Sequence, residues 1–118
     1  PIENKFNANP LIEMTMVSGV GQVAAYAMVV LAEGIRPKVG DPAVRARVEK
    51  ELTDLLKTIN AGLADYEKIQ MVVIAPQPWS IENGLLTPTM KIRRNRIESA
   101  VEAKIEAWYA QKGKVLWV

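Results

Sequence analysis

Two hydrophobic periods alternate along this chain, and each change of period marks an element. Ile12, Met14 and Met16 alternate with Glu13 and Thr15, the two-residue period of a strand with one wet face. The glycines of Ser18-Gly19-Val20-Gly21-Gln22 suit a turn. Ala24 to Leu31 then runs apolar without alternation, as a central strand covered on both faces does. Ahead of these, Ile2 and Phe6 predict a short helix, with Pro1 at a tolerated first-turn position and Asn9-Pro10 stopping it. Pro37 and Gly40 break the chain, after which Asp41 reads as a helix cap with Pro42 at the first position. Val44, Val48, Leu52, Leu55, Ile59 and Leu63 follow at helical spacing. Met71-Val72-Val73-Ile74, closed by Pro76 and Pro78, reads as a third buried strand reached through a helical crossover.

The segment from Trp79 to Met90 fits neither period and contains Asn83-Gly84 and Pro88, the marks of an exposed loop and the least core-like part of the chain. From Ile92 the helical period resumes through Ile97, Val101, Ile105 and Trp108 and ends near Lys112-Gly113, where Gly suits a C-cap. The remaining C-terminal residues are left to dock as an edge strand or fray. The pattern predicts an α+β fold in one domain over residues 1–118. A small sheet of about three strands is packed by two long amphipathic helices, and an exposed loop or hairpin carries Lys91.

Composition narrows the chemistry. An apolar fraction of 49% with 24% charged residues is that of a soluble globular protein. The longest apolar stretch, Val23 to Ala32, is well short of the roughly 20 residues that cross a bilayer, so no transmembrane segment is expected. With neither Cys nor His, the chain has no disulfide, no thiol nucleophile, no thiolate or imidazole metal site and no neutral-pH proton shuttle. Serine-triad hydrolysis and zinc chemistry drop out, and no metal ligand set is expected here. The absence of a signal peptide and of Cys is compatible with a cytoplasmic location. A start at Pro1-Ile2-Glu3-Asn4 without Met reads as a domain cut from something longer.

The net charge is only +2, yet Lys91, Arg93, Arg94 and Arg96 fall within six positions. A solvated helix face accounts for such a cluster as well as a functional surface does. A nucleic-acid module would need more than one patch, and no aromatic residue interleaves with these charges, so no nucleic-acid partner is expected.

The segment Glu82-Asn83-Gly84-Leu85-Leu86-Thr87-Pro88-Thr89-Met90-Lys91-Ile92-Arg93-Arg94 resembles the terminal signature of AMP-forming long-chain acyl-CoA synthetases. In the wider adenylate-forming superfamily the motif has the form Pro-Lys-Thr-x-x-Gly-Lys-Ile-x-Arg; Lys91-Ile92-Arg93-Arg94 takes the place of its last four positions, and Met90 that of its Gly. Pro1-Ile2-Glu3, then Asn9-Pro10-Leu11-Ile12-Glu13, then Val17-Ser18-Gly19 resembles an earlier progression of the same family, with Asn9 in place of its His. The matches cover nearly the whole chain in order. They imply the C-terminal lid domain of an enzyme that joins a carboxylate to the α-phosphate of ATP and passes the acyl group to coenzyme A.

The resemblance makes Lys91 the catalytic residue, its ammonium holding carboxylate and α-phosphate in line and stabilising charge in the transition state. Arg93, Arg94 and Arg96 are candidates to contact nucleotide or coenzyme A phosphates, or acidic residues of the partner domain; a solvated helix start is the alternative. Ser18, Gly19 and Gly21 resemble a loop that swings towards the coenzyme A channel, with a plain hairpin turn as the alternative. Thr87 and Thr89 are expected to fix the loop through hydroxyl-to-backbone bonds. Trp79, Trp108, Tyr109 and Trp117 suit core packing or an interdomain face better than base stacking.

The implied partners are the enzyme's own N-terminal adenylate-binding domain, whose nucleotide loop, acidic motifs and hinge lie upstream of Pro1, and a fatty acid, ATP, Mg2+ and coenzyme A. A peripheral membrane association of the full-length enzyme stays open, and the domain alone is expected to be inert. Alternatives are the lid of a carboxylic acid reductase or acyl-AMP ligase, a small basic nucleic-acid module, and a purely structural interaction domain.

Overall fold

The apolar runs pair into one four-stranded sheet in the order β1-β2-β3-β4, with β1 over Ile12–Ser18, β2 over Ala25–Leu31, β3 over Ile69–Ile74 and β4 over Val115–Trp117. This is a computed structural model describing residues 2–19, 22, 24–111 and 113–118. The expectations placed on Pro1, Gly21 and Lys112 lie outside those residues. β1 and β2 pair antiparallel, whereas β2 with β3 and β3 with β4 pair parallel. Parallel neighbours need long crossovers. The first is α2 (Pro42–Ala61), and the second runs through α3 (Arg94–Val101) and α4 (Ile105–Ala110). A short α1 (Ile2–Asn7) precedes β1. No described helix is long and apolar enough to cross a membrane.

Each face of the sheet has its own apolar layer. Ala27, Val29 and Leu31 of β2 pack with Phe6 of α1 and with Val48, Leu52, Leu56 and Ile59 of α2. Tyr26, Met28 and Val30 point the other way, onto Ile97, Val101 and Trp108 of α3 and α4. Two dry faces are why β2 shows no alternation. Asp41 accepts from the Ala43 main-chain N–H at 2.8 Å and Pro42 opens α2, as the sequence signals. The Asn60 amide then pins the end of α2 to β3, donating to the Ile69 carbonyl at 2.9 Å and accepting from its N–H at 2.8 Å.

Four expectations need correction. Ile12, Met14 and Met16 do not share a face: a register shift between Ile12 and Met14 sends Ile12 to the α2 layer and Met14 and Met16 to the other. Nor is the opposite face of β1 wet, because Thr15 is buried and its hydroxyl donates to Asn7 Oδ1 at 2.7 Å. The sheet has four strands instead of about three, because the C-terminal residues take the edge-strand alternative and Val115 to Trp117 dock beside Val72 to Ile74. Trp117 secures it, donating from Nε1 to Glu49 Oε1 at 2.7 Å while the Arg45 guanidinium lies 4.1 Å from its ring. Finally, the second long helix is broken by a 3-10 turn at Glu102–Lys104. No Pro or Gly falls there, so the sequence carries no signal for the break.

Candidate functional site

Lys91 ends a tight hairpin. Leu86 and Ile92 form an antiparallel bridge, and Arg93 N–H donates to the Leu85 carbonyl at 2.8 Å. Above them Thr87 N–H donates to the Lys91 carbonyl and Met90 N–H to the Thr87 carbonyl, both at 2.8 Å. Thr87 Oγ1 accepts from Lys91 N–H at 3.1 Å and lies 3.0 Å from the Thr89 hydroxyl. Pro88 presets the first turn residue, and Met90 closes the loop at φ 66, the left-handed position of a three-residue hairpin loop. A glycine would adopt this φ without strain.

The base of the hairpin is held from inside. Asn83 Oδ1 accepts from Ser80 N–H at 3.0 Å and Leu85 N–H at 3.1 Å, and its Nδ2 donates to the Pro78 carbonyl at 3.1 Å. Trp79 and Leu86 are buried in the α3/α4 layer. The segment is therefore irregular in backbone but anchored in the core, which corrects its reading as the least core-like part. Burial without regular hydrogen bonding leaves no period to detect. Pro88 to Lys91 project into solvent, and Lys91 makes no ion pair among the described residues.

The neighbouring arginines differ in what they touch. Arg93 sits at the start of α3 with Nε buried and without a hydrogen-bond partner among the described residues. Arg94 Nη2 donates to Glu3 Oε2 at 2.7 Å, and its Nη1 donates to the Val17 carbonyl. Arg96 is exposed and reaches the Gly84 carbonyl at 3.4 Å.

Ser18 and Gly19 lie at the other end of β1. The Ser18 hydroxyl donates to the Glu98 carboxylate. Gly19 packs so tightly that a Cβ there would sit 2.7 Å from Ala25 Cα. Beside them a cavity of about 340 Å3 is lined by Ser18, Gln22, Tyr26, Asn95, Glu98 and Glu102, among others. Lys91, Arg93 and Arg94 do not line it. Burial pushes the Tyr26 hydroxyl above its ordinary value, partly offset by the nearby Ser18 hydroxyl. Burial, with some help from Tyr26, pushes Tyr109 up to about 12, and Tyr109 donates to the Ala24 carbonyl. Glu3 enters the sequence reading only as part of the Pro1-Ile2-Glu3 match, and nothing there assigns a role to Tyr26 or Glu98. Glu98 one helical turn after Arg94 is the only local hint, because Glu3 and Arg94 stand 91 positions apart.

A family profile described as AMP-binding enzyme C-terminal domain matches residues 1–113. The peroxisomal long chain acyl-CoA synthetase 7 of Arabidopsis thaliana is 39% identical over 71 residues, covering 60% of this chain and 10% of its own. A carboxylic acid reductase of Segniliparus rugosus is 31% identical over 113 residues, covering 93% of this chain and 9% of its own. The chain thus spans about a tenth of the length of these curated relatives. Among solved structures, the A-PCP didomain of the Segniliparus rugosus carboxylic acid reductase, in complex with AMP, superposes with a TM-score of 0.69 at 28% identity, over 93% of this chain and 15% of that one.

Proposed function

This chain belongs to the AMP-binding enzyme C-terminal domain family, and from that premise we propose that it is the lid of a long-chain fatty acid-CoA ligase, with Lys91 as its catalytic side chain. The observation that carries the reading is a solvent-facing lysine without an ion-pair partner among the described residues, on a hairpin whose backbone is fixed at tip and base. In the first half-reaction a carboxylate oxygen attacks the α-phosphorus of ATP and pyrophosphate leaves. A single ammonium touching both anions lowers their repulsion and gains strength as charge builds in the transition state. A hairpin tip is suited to the task, since it can be carried into a site formed by another domain.

Arg93, whose buried Nε has no hydrogen-bond partner among the described residues, is the second cation offered to a phosphate or a carboxylate of the partner domain. Ser18 and Gly19 border the coenzyme A path in this reading, with the 340 Å3 cavity beside them. In this reading Mg2+ belongs with the ATP site of the large N-terminal domain. That domain would also supply the adenine and acyl sites, leaving this chain inert by itself. A cytoplasmic enzyme resting on a membrane surface is compatible with these features.

A carboxylic acid reductase is the second reading, favoured by the 93% coverage in its relative and its solved structure. The Thr87-Pro88-Thr89-Met90 run before Lys91 favours the ligase. The full-length enzyme, given palmitate, ATP and either coenzyme A or NADPH, separates them. Palmitoyl-CoA is expected. Aldehyde formed with NADPH would select the reductase, and failure to release pyrophosphate in either mixture would remove both.

A further inference from the structure

We infer that Arg94 positions Lys91 instead of binding substrate phosphate, and does so by closing a ring with Glu3 and Val17. Glu3 Oε2 accepts from Arg94 Nη2 at 2.7 Å and from Val17 N–H at 2.8 Å, while Arg94 Nη1 donates to the Val17 carbonyl. The ring takes one N–H from each terminal nitrogen of the guanidinium, so a phosphate that claimed those two donors would break it. Val17 lies on β1, at the outer edge of the sheet, where its main-chain groups would otherwise be open. The ring gives both a partner.

Its place in the chain gives the ring its effect. Arg94 opens α3 two residues after Ile92, whose bridge to Leu86 closes the hairpin, so fixing Arg94 fixes the point from which Lys91 projects. Leu86 and Asn83 already hold the incoming side. One helical turn later, Glu98 accepts from Ser18, so α3 is tied to Val17 and Ser18 in succession, next to Gly19. The lysine hairpin and the Gly19 turn are thereby joined as one body. Stability is a poor account of this arrangement. The ion-pair side chains are 42% and 25% exposed, and the water that reaches them screens the pair and trims what it contributes to folding. A forked, two-point grip fixes direction, which a lysine at the same position would not.

The proposal rests on Lys91 acting in adenylation, and two measurements separate the two claims. In the labelled 118-residue chain, Arg94→Gln and Glu3→Gln are expected to lower the backbone order parameters of Lys91 and Ile92 from about 0.85 to below about 0.6, while Met28 and Val73 in the sheet stay rigid. Arg94→Lys provides a milder variant should Gln prevent folding. Unchanged order at Lys91 would overturn the ring's role. In the full-length enzyme, Glu3→Gln and Arg94→Lys are expected to lower kcat for palmitoyl-adenylate formation on the order of 10- to 100-fold, with KM for ATP unchanged. Glu3 is an anion and has no reason to hold phosphate, so its loss reports through Arg94. A raised KM for ATP at constant kcat would make Arg94 a phosphate ligand and overturn the proposal. Loss of order on breaking the ring, with adenylation untouched by Lys91→Ala, would keep the ring and sink the adenylation reading. Rigid variants with a dead Lys91→Ala enzyme would do the reverse.

Discussion

Met90 and Gly19 show two different reasons for a glycine in this fold. At Met90 the constraint is torsional: φ 66 brings a side chain against its own carbonyl at a cost of about 1–2 kcal/mol, which the hydrogen bonds around Thr87 offset. At Gly19 the constraint is space, with Ala25 Cα 2.7 Å from where a Cβ would stand. Backbone cannot move aside as a flexible side chain can. Gly19→Ala should therefore destabilise the chain by about 1–3 kcal/mol. Gly40→Ala, with nothing within 4 Å of its Cβ, should change stability by no more than about 0.5 kcal/mol. Thermal unfolding of both variants checks this, and equal midpoints would show that the β1–β2 connection has room for a side chain.

Among the elements, α2 carries the larger share of one core layer and α4 closes the other. Leu52 is fully buried at the centre of the α2 stripe, so Leu52→Ala should cost about 2–5 kcal/mol by leaving a cavity against β2 and β3. Denaturant unfolding would show it as a lower midpoint at unchanged slope; a loss below about 1 kcal/mol would mean that the layer collapses around the gap. At α4, Tyr109 ties the helix to the Ala24 carbonyl, and Tyr26 packs edge-on at 6.4 Å. Its folded pKa of about 12 lies above the ordinary 10.0, so the folded state holds the phenol proton more tightly than the unfolded one. That stability is complete below pH 10.0 and is lost as pH rises towards about 12. Tyr109→Phe should flatten the fall in unfolding midpoint over this window. An equally steep fall in the variant would place the titration elsewhere.

For the molecule as a whole, the sequence marks what is local and misses what joins distant segments. Asp41 with Pro42, the α2 stripe and the dry β2 run all act within a few residues, and periodicity with capping finds them. The register shift after Ile12 flips side chains across the sheet, yet it depends on pairing with β2 and has no residue signature. The same holds for the Glu3–Val17–Arg94 ring and for the Ser18–Glu98 contact. Lys91 was legible only through its motif, since an exposed lysine on charge alone resembles any other. The central claim is that this lysine serves the first half-reaction. The direct measurement takes Lys91→Ala in the full-length enzyme and follows the half-reactions separately, pyrophosphate release from palmitate and ATP, then thioester formation from pre-made palmitoyl-adenylate and coenzyme A. The account expects the first to slow on the order of 100-fold or more with the second nearly unchanged. Equal loss in both steps, or no loss in either, would contradict it.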